Sequence, residues 1–322
     1  MPSIRRRLQV SVDGHFESAS MLPIYVLSLS LSAGMCLSTC IFVFKWKQIW
    51  RDAGHGTMFM MFACLCLWSL MTLARVFVVF CNYSFWDNLE DETLLAISIG
   101  TEMLFNAISM WFALAVYELY RRALRPRSSE QSQRALKWYI GIIYTIGLAF
   151  VTAMALLCYE GVRFLAEDGE MDLIASWILS YMTWGTWGIR LLSLIYGASV
   201  ATSMYCQRHH IQLARLPITV LVIVGLFVLL NLPYLIMAPV SEYESVSHVR
   251  VVEWPFLLKL LRACTYSSGA IISVLMGVSI KGFDAFYLPP VAPPKDSVQE
   301  GPPSFFFIPD STSRSSCQLQ LK

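Results

Sequence analysis

The stretch AVYELYRRALRPR (Ala115–Arg127) ends a long apolar run with a glutamate, an aromatic residue and a burst of arginines. A chain passing from Ala, Leu and Val to clustered arginines is read as a helix leaving hydrocarbon for lipid headgroups. Pro126 then stops the helix, because proline has no N–H to continue the helical ladder. Upstream, 93–117 is long enough to cross a bilayer, which takes roughly 20 helical residues. Six further runs meet the same test, at about 21–44, 57–81, 138–158, 173–205, 216–240 and 254–280.

The composition agrees. Of 322 residues 56% are hydrophobic and only 14% charged, against about 25% charged in a soluble domain, and mean hydropathy is +0.56. Period-two alternation is absent, which argues against a membrane barrel. The expected fold is an all-α membrane protein, a seven-transmembrane helix bundle in contact with the lipid bilayer. Residues 1–20 are a short N-terminal segment, 21–288 the helical domain and 289–322 a Pro/Ser-rich tail whose composition predicts disorder. Arg5, Arg6 and Arg7 precede the first run, but that run is too long for a signal-peptide core and is read as a retained helix.

Orientation follows from the loops. The first, third and fifth are basic: Lys45, Lys47, Arg51; then Arg121, Arg122, Arg125, Arg127, Arg134, Lys137; then Arg208 and Arg215. The second, fourth and sixth are acidic, with Asp87, Glu90, Asp91, Glu92, then Glu160, Glu167, Asp168, Glu170, Asp172, then Glu242, Glu244 and Glu253. The positive-inside rule therefore places the N-terminus outside and the C-terminus in the cytoplasm, as in a multi-pass protein of the plasma membrane. The one glycosylation sequon, Asn82-Tyr83-Ser84, then lies outside. Cys81 and Cys158 fall at the same oxidising face, either as a disulfide or as two unrelated thiols. The segment KGFDAFYL (281–288) is expected to lie along the inner leaflet.

This layout resembles the G-protein-coupled receptors. In the rhodopsin-like group the third helix ends in an acidic–Arg–aromatic triplet followed by a loop proline. Here Glu118-Leu119-Tyr120 stands eight residues before Pro126, matching the acid, the aromatic and the spacing, with leucine for the central arginine. Arg121 and Arg122 follow directly, as partial substitutes on other faces. The altered triplet is similar to those of herpesvirus-encoded receptors. Pro233 with Tyr234 resembles the bend of the sixth helix, and Asn231 stands where the family commonly has Trp. The seventh helix keeps no Asn-Pro-x-x-Tyr motif; its Ser268-Gly269 pair is instead similar to the secretin and cyclic-AMP receptor groups. The resemblance implies a ligand-gated or constitutively active receptor. It would couple to a heterotrimeric G protein through Glu118, Leu119, Tyr120, Arg121, Arg122, Asn231 and Pro233.

Ionisable residues inside hydrocarbon are costly and are functional candidates by default. Arg75, Glu102, Lys259 and Arg262, with Asn106 one turn deeper than Glu102, are expected in the outer halves of helices two, three and seven. Together they suit an outer cavity for an anionic or acidic peptide ligand. The plainer reading is a structural ion pair of Glu102 with Arg75 or Arg262 and a snorkelling Lys259. Arg190 sits near midplane beside TWGTWG (183–188), whose glycines suggest close helix packing. Enzymatic readings find no support: all five histidines read as loop or tail residues, and no Asp lies within a span. No cofactor, metal or nucleic-acid partner is implied. The rival to a receptor is a seven-helix transporter, or a trafficking or scaffold protein without G-protein coupling.

Overall fold

The computed structural model describes residues 21–44, 49–50, 52–84, 91–124, 128–164, 169–207, 216–247 and 255–279. These form seven helices: α1 (Leu22–Phe42), α2 (Ala53–Ser84), α3 (Asp91–Leu124), α4 (Ser129–Phe164), α5 (Gly169–Cys206), α6 (Leu216–Ser247) and α7 (Pro255–Ser279). Each carries a segment long and apolar enough to cross a membrane, and no strand occurs among the described residues. The chain is a seven-helix membrane protein. The membrane-lying segment 281–288, the N-terminal segment 1–20 and the tail fall outside the described residues.

The helices close into a ring. α1 packs on α2 and α7, α2 on α3, α3 on α5, α5 on α6, and α6 on α7. α4 leans on the outside of α3 and α5; only 17% of its spanning segment is buried, against 61% for α7. The side-chain pattern is that of a bundle in lipid. On α1 the inward face holds Ser32, Cys36, Thr39 and Cys40, while Leu27, Leu31, Leu37 and Ile41 are exposed. Small polar residues inside let helices approach and bond, whereas aliphatic side chains meet lipid at no cost.

Several helices outrun the apolar runs, because capping and polar first turns extend them beyond hydrocarbon. α2 starts at Ala53 rather than near 57. Asp52 accepts the Gly54 N–H at 3.2 Å, and the Ser132 hydroxyl accepts the Ala53 N–H at 2.7 Å. Two orphan donors of the first turn are thereby satisfied. This places His55 in a helix, 4% exposed and 2.8 Å from the Asp52 carboxylate, which corrects its reading as a loop residue. α6 continues through two prolines, Pro233 and Pro239.

Glycine marks three close approaches. A Cβ on Gly269 of α7 would lie 2.2 Å from Ser32 Oγ and 2.9 Å from Cys36 Sγ of α1. On Gly197 of α5 it would meet the Phe112 ring of α3 at 2.5 Å, and on Gly56 of α2 the Leu136 side chain of α4 at 2.5 Å. Gly185 and Gly188 of TWGTWG face open space instead. The expectation that they mediate close packing is corrected: the α3–α5 approach lies about two turns further along, at Gly197.

Candidate functional site

Two adjacent features stand out, one in the half of the bundle nearer the acidic loops and one nearer the basic loops. The first is a charged cluster. Glu102 and Asn106 are one turn apart on α3 and so share a face. Arg190 of α5 reaches both: its Nε donates to Asn106 Oδ1 at 2.7 Å, and its Nη2 pairs with the Glu102 carboxylate. The guanidinium lies 4.6 Å above the centre of the Phe105 ring, a cation–π contact that holds it flat against α3. The partner of Glu102 is therefore Arg190, not Arg75 or Arg262 as the plainer sequence reading had it.

Arg75 and Arg262 nevertheless stand close enough for their charges to act on Glu102. Arg262 is 8% exposed and donates to the Tyr234 hydroxyl of α6 at 3.1 Å, with its guanidinium 5.4 Å from the same ring. Arg75 is half-buried, and its Nε is buried without a hydrogen-bond partner. The α2–α3 register places it: Trp68 stacks on Phe105 with ring centres 5.1 Å apart, and Met71 lies against Gly100. One turn on from Met71, Arg75 is level with Ser98, whose buried hydroxyl is likewise unpartnered.

Aromatic rings wall the cluster. Tyr266, one turn below Arg262, packs edge-on to Tyr25 of α1 at 5.3 Å and to Trp68 of α2 at 5.8 Å. Lys259 is half-buried and contributes its backbone carbonyl, which accepts the Tyr25 hydroxyl at 3.1 Å. The structure thus gathers Arg75, Arg190 and Arg262 around Glu102, with Asn106 bonded to Arg190, and gives Lys259 a different task in tying α1 to α7. Sequence reasoning missed Tyr25, Tyr234 and Tyr266 as companions of the arginines. Tyr266 was legible in principle, four residues after Arg262 and hence on its face.

The second feature is a cleft toward the basic loops, of about 20 Å³, lined by Met58, Met61, Phe112, Leu119, Val220 and Val224 among other apolar side chains. That is room for little more than one water, so the cleft is narrow. Leu119 is 3% exposed within it. Its neighbour Glu118 is also buried, and accepts the Tyr139 hydroxyl of α4 at 2.6 Å. Tyr120 is half-buried, and Arg121 donates to the Tyr117 hydroxyl one turn earlier at 3.2 Å. The side chain of Arg122 lies outside the described residues, as do those of Cys81, Asn82 and Cys158.

α6 connects the two features. Asn231 is 4% exposed and donates to its own helix at the Phe227 carbonyl, 2.8 Å away, while its Oδ1 is unpartnered. Proline leaves the carbonyl four residues earlier without a helical donor and strains the next bond. A neighbouring helix answers this at Pro239, and another donates one carbonyl beyond the one that Pro233 orphans. The Thr265 hydroxyl of α7 donates to the Leu230 carbonyl at 3.1 Å, three residues before Pro233; Trp187 of α5 donates to the Leu235 carbonyl at 2.8 Å, four before Pro239. Phe112 lies between Gly197 of α5 and Phe227 of α6, its ring 4.3 Å from the latter, and also lines the cleft. No protein-family model matches the chain, and none of the curated proteins does.

Proposed function

We propose that this seven-helix protein is a receptor-like signalling protein of the plasma membrane, its N-terminus outside and its acidic loops toward the ligand. It passes a signal through the basic second and third cytoplasmic loops to a heterotrimeric G protein. The observation that supports this is physical continuity. The charged cluster and the narrow apolar cleft share α3, α5 and α6, and Phe112 is held by all three where the cleft begins. Signalling in this reading is a population shift between the narrow packing and one in which the inner half of α6 swings at Pro233 and widens the cleft. Leu119 lines it, Glu118, Tyr120, Arg121 and Arg122 are its neighbours in sequence, and Asn231 lies half a turn from the bend.

The second reading is a transporter, or a trafficking or scaffold protein that couples to no G protein. Leu119 favours it, because a buried leucine stands where the receptors it resembles place the arginine that meets the G protein.

The deciding experiment is second-messenger output in cells with matched surface expression. The wild type is compared with Glu118→Ala and with Arg121 and Arg122 both changed to Ala. Output above vector that both variants alter is the expected result. A well-displayed wild type silent across a panel of G proteins, with and without the carboxylates tested below, would retire the receptor reading in favour of the second.

A further inference from the structure

The charge balance of the cluster is uneven. Among the described residues, three guanidiniums, Arg75, Arg190 and Arg262, meet one carboxylate, Glu102. Arg190 and Glu102 satisfy each other. Arg262 has a phenol and a ring but no carboxylate among the described contacts, and Arg75 has a buried N–H that donates to nothing. Two guanidiniums that act on the same carboxylate, beside a wall of aromatic rings, are left without a matching anion where the local dielectric is low. A buried donor left unpaired is costly as well.

Access is present. About half of the Glu102 side chain is accessible. Its charged neighbours lie on α2, α5 and α7, whereas the next residue, Met103, is the one that meets Gly147 of α4. The open half therefore faces the inside of the ring.

We propose that the space bounded by Arg75, Arg262 and the Glu102–Arg190 pair binds a small organic monocarboxylate with an aromatic or aliphatic body. A planar carboxylate matches guanidinium geometry and accepts two parallel hydrogen bonds. One such group supplies Arg75 Nε with an acceptor and brings the cluster from a surplus of two positive charges to one. An apolar body suits the aromatic side of the cluster, where Trp68, Tyr25 and Tyr266 pack on one another. Glu102 is a like charge to the ligand, so it sets an upper limit on affinity while keeping Arg190 occupied. The site stands on the unpaired Arg75 N–H and the surplus of guanidiniums; only its signalling consequence rests on the receptor reading above.

The test uses the full chain in nanodiscs of neutral phosphatidylcholine, with 4-phenylbutyrate and octanoate as probes and 4-phenylbutanol and octylamine as controls. Binding is read by thermal shift and by calorimetry, without any G protein. The carboxylates should bind saturably and raise the melting temperature, and the alcohol and amine should not. Arg75→Gln and Arg262→Gln should each weaken binding about tenfold or more, with Arg→Lys at either position recovering part of it. Glu102→Gln should tighten it several-fold, which a purely structural role would not produce. Equal stabilisation by alcohol, amine and acid would overturn the proposal. So would unchanged affinity in folded Arg75→Gln and Arg262→Gln, or no saturable binding of either acid at millimolar concentration. Carboxylate binding with no second-messenger output would keep the site and retire the receptor reading.

Discussion

The indole N–H of Trp187 donates to the carbonyl of Leu235 at 2.8 Å, and that carbonyl is the one Pro239 leaves without a helical donor. A side chain of α5 thus completes the backbone of α6. In lipid such completion matters, since no water is present to do it. Trp187→Phe should keep the ring and lose the bond, lowering stability by about 1 kcal/mol on the scale of measured interhelical hydrogen bonds. In a Pro239→Ala background the helix supplies its own donor. The same change should then be nearly neutral, and thermal unfolding in nanodiscs of the four proteins checks the cycle.

Arg190 is the hinge pin between α3 and α5. Arg190→Met removes the ion pair with Glu102, the bond to Asn106 and the contact over Phe105. A fully buried pair would cost about 3–5 kcal/mol when broken; with half of Glu102 accessible, roughly 2 kcal/mol is expected. Adding Glu102→Gln should restore part of that loss, because the stranded carboxylate is gone. A double variant less stable than the sum of the two singles would contradict the pairing.

The seam between α1 and α7 depends on Gly269. Gly269→Ala sets a methyl 2.2 Å from Ser32 Oγ, so the Ser32 hydroxyl must turn away, losing its bond with Ser69, or the helices must part. Overpacking of this kind costs about 1–3 kcal/mol. Ser32→Ala removes the nearest obstacle and should recover a fraction in the double variant, with Cys36 Sγ at 2.9 Å keeping the recovery incomplete. Melting temperatures of the two singles and the double decide it.

Glu118 ties the end of α3 to α4 through Tyr139. Tyr139→Phe deletes the hydroxyl and leaves the ring in place, for a loss of about 1–2 kcal/mol, since the acceptor is a buried carboxylate. Glu118→Gln retains an acceptor and should lose less. Limited proteolysis within the 125–127 connection should quicken in the order wild type, Glu118→Gln, Tyr139→Phe; equal rates would show that this bond does not hold the two helices.

Seven spans were legible because run length against hydrocarbon thickness is a one-dimensional property. Helix ends were less so. Asp52 and Ser128 start α2 and α4 in polar sequence, Ser128 Oγ accepting the Gln131 N–H at 3.4 Å, and apolar run length carries no record of such caps. The buried charges were recognised individually as well. Their cost in lipid singles out Arg75, Glu102, Arg190 and Arg262 wherever they lie in the chain.

What the chain could not declare is who meets whom. Glu102 and Arg190 are 88 positions apart, and the carbonyl that Trp187 serves lies 48 residues away. Hydropathy, charge and proline content determine that seven helices form, where polar groups must be buried and that α6 has two broken bonds. Which carboxylate neutralises which arginine, and which arginines are left over, depends on helix rotation and on close approaches such as Gly269 on Ser32 and Gly197 on Phe112. Those are set by packing among all seven helices together, because an ion pair or an orphan carbonyl is satisfied only by a group that the ring brings within about 3 Å of it.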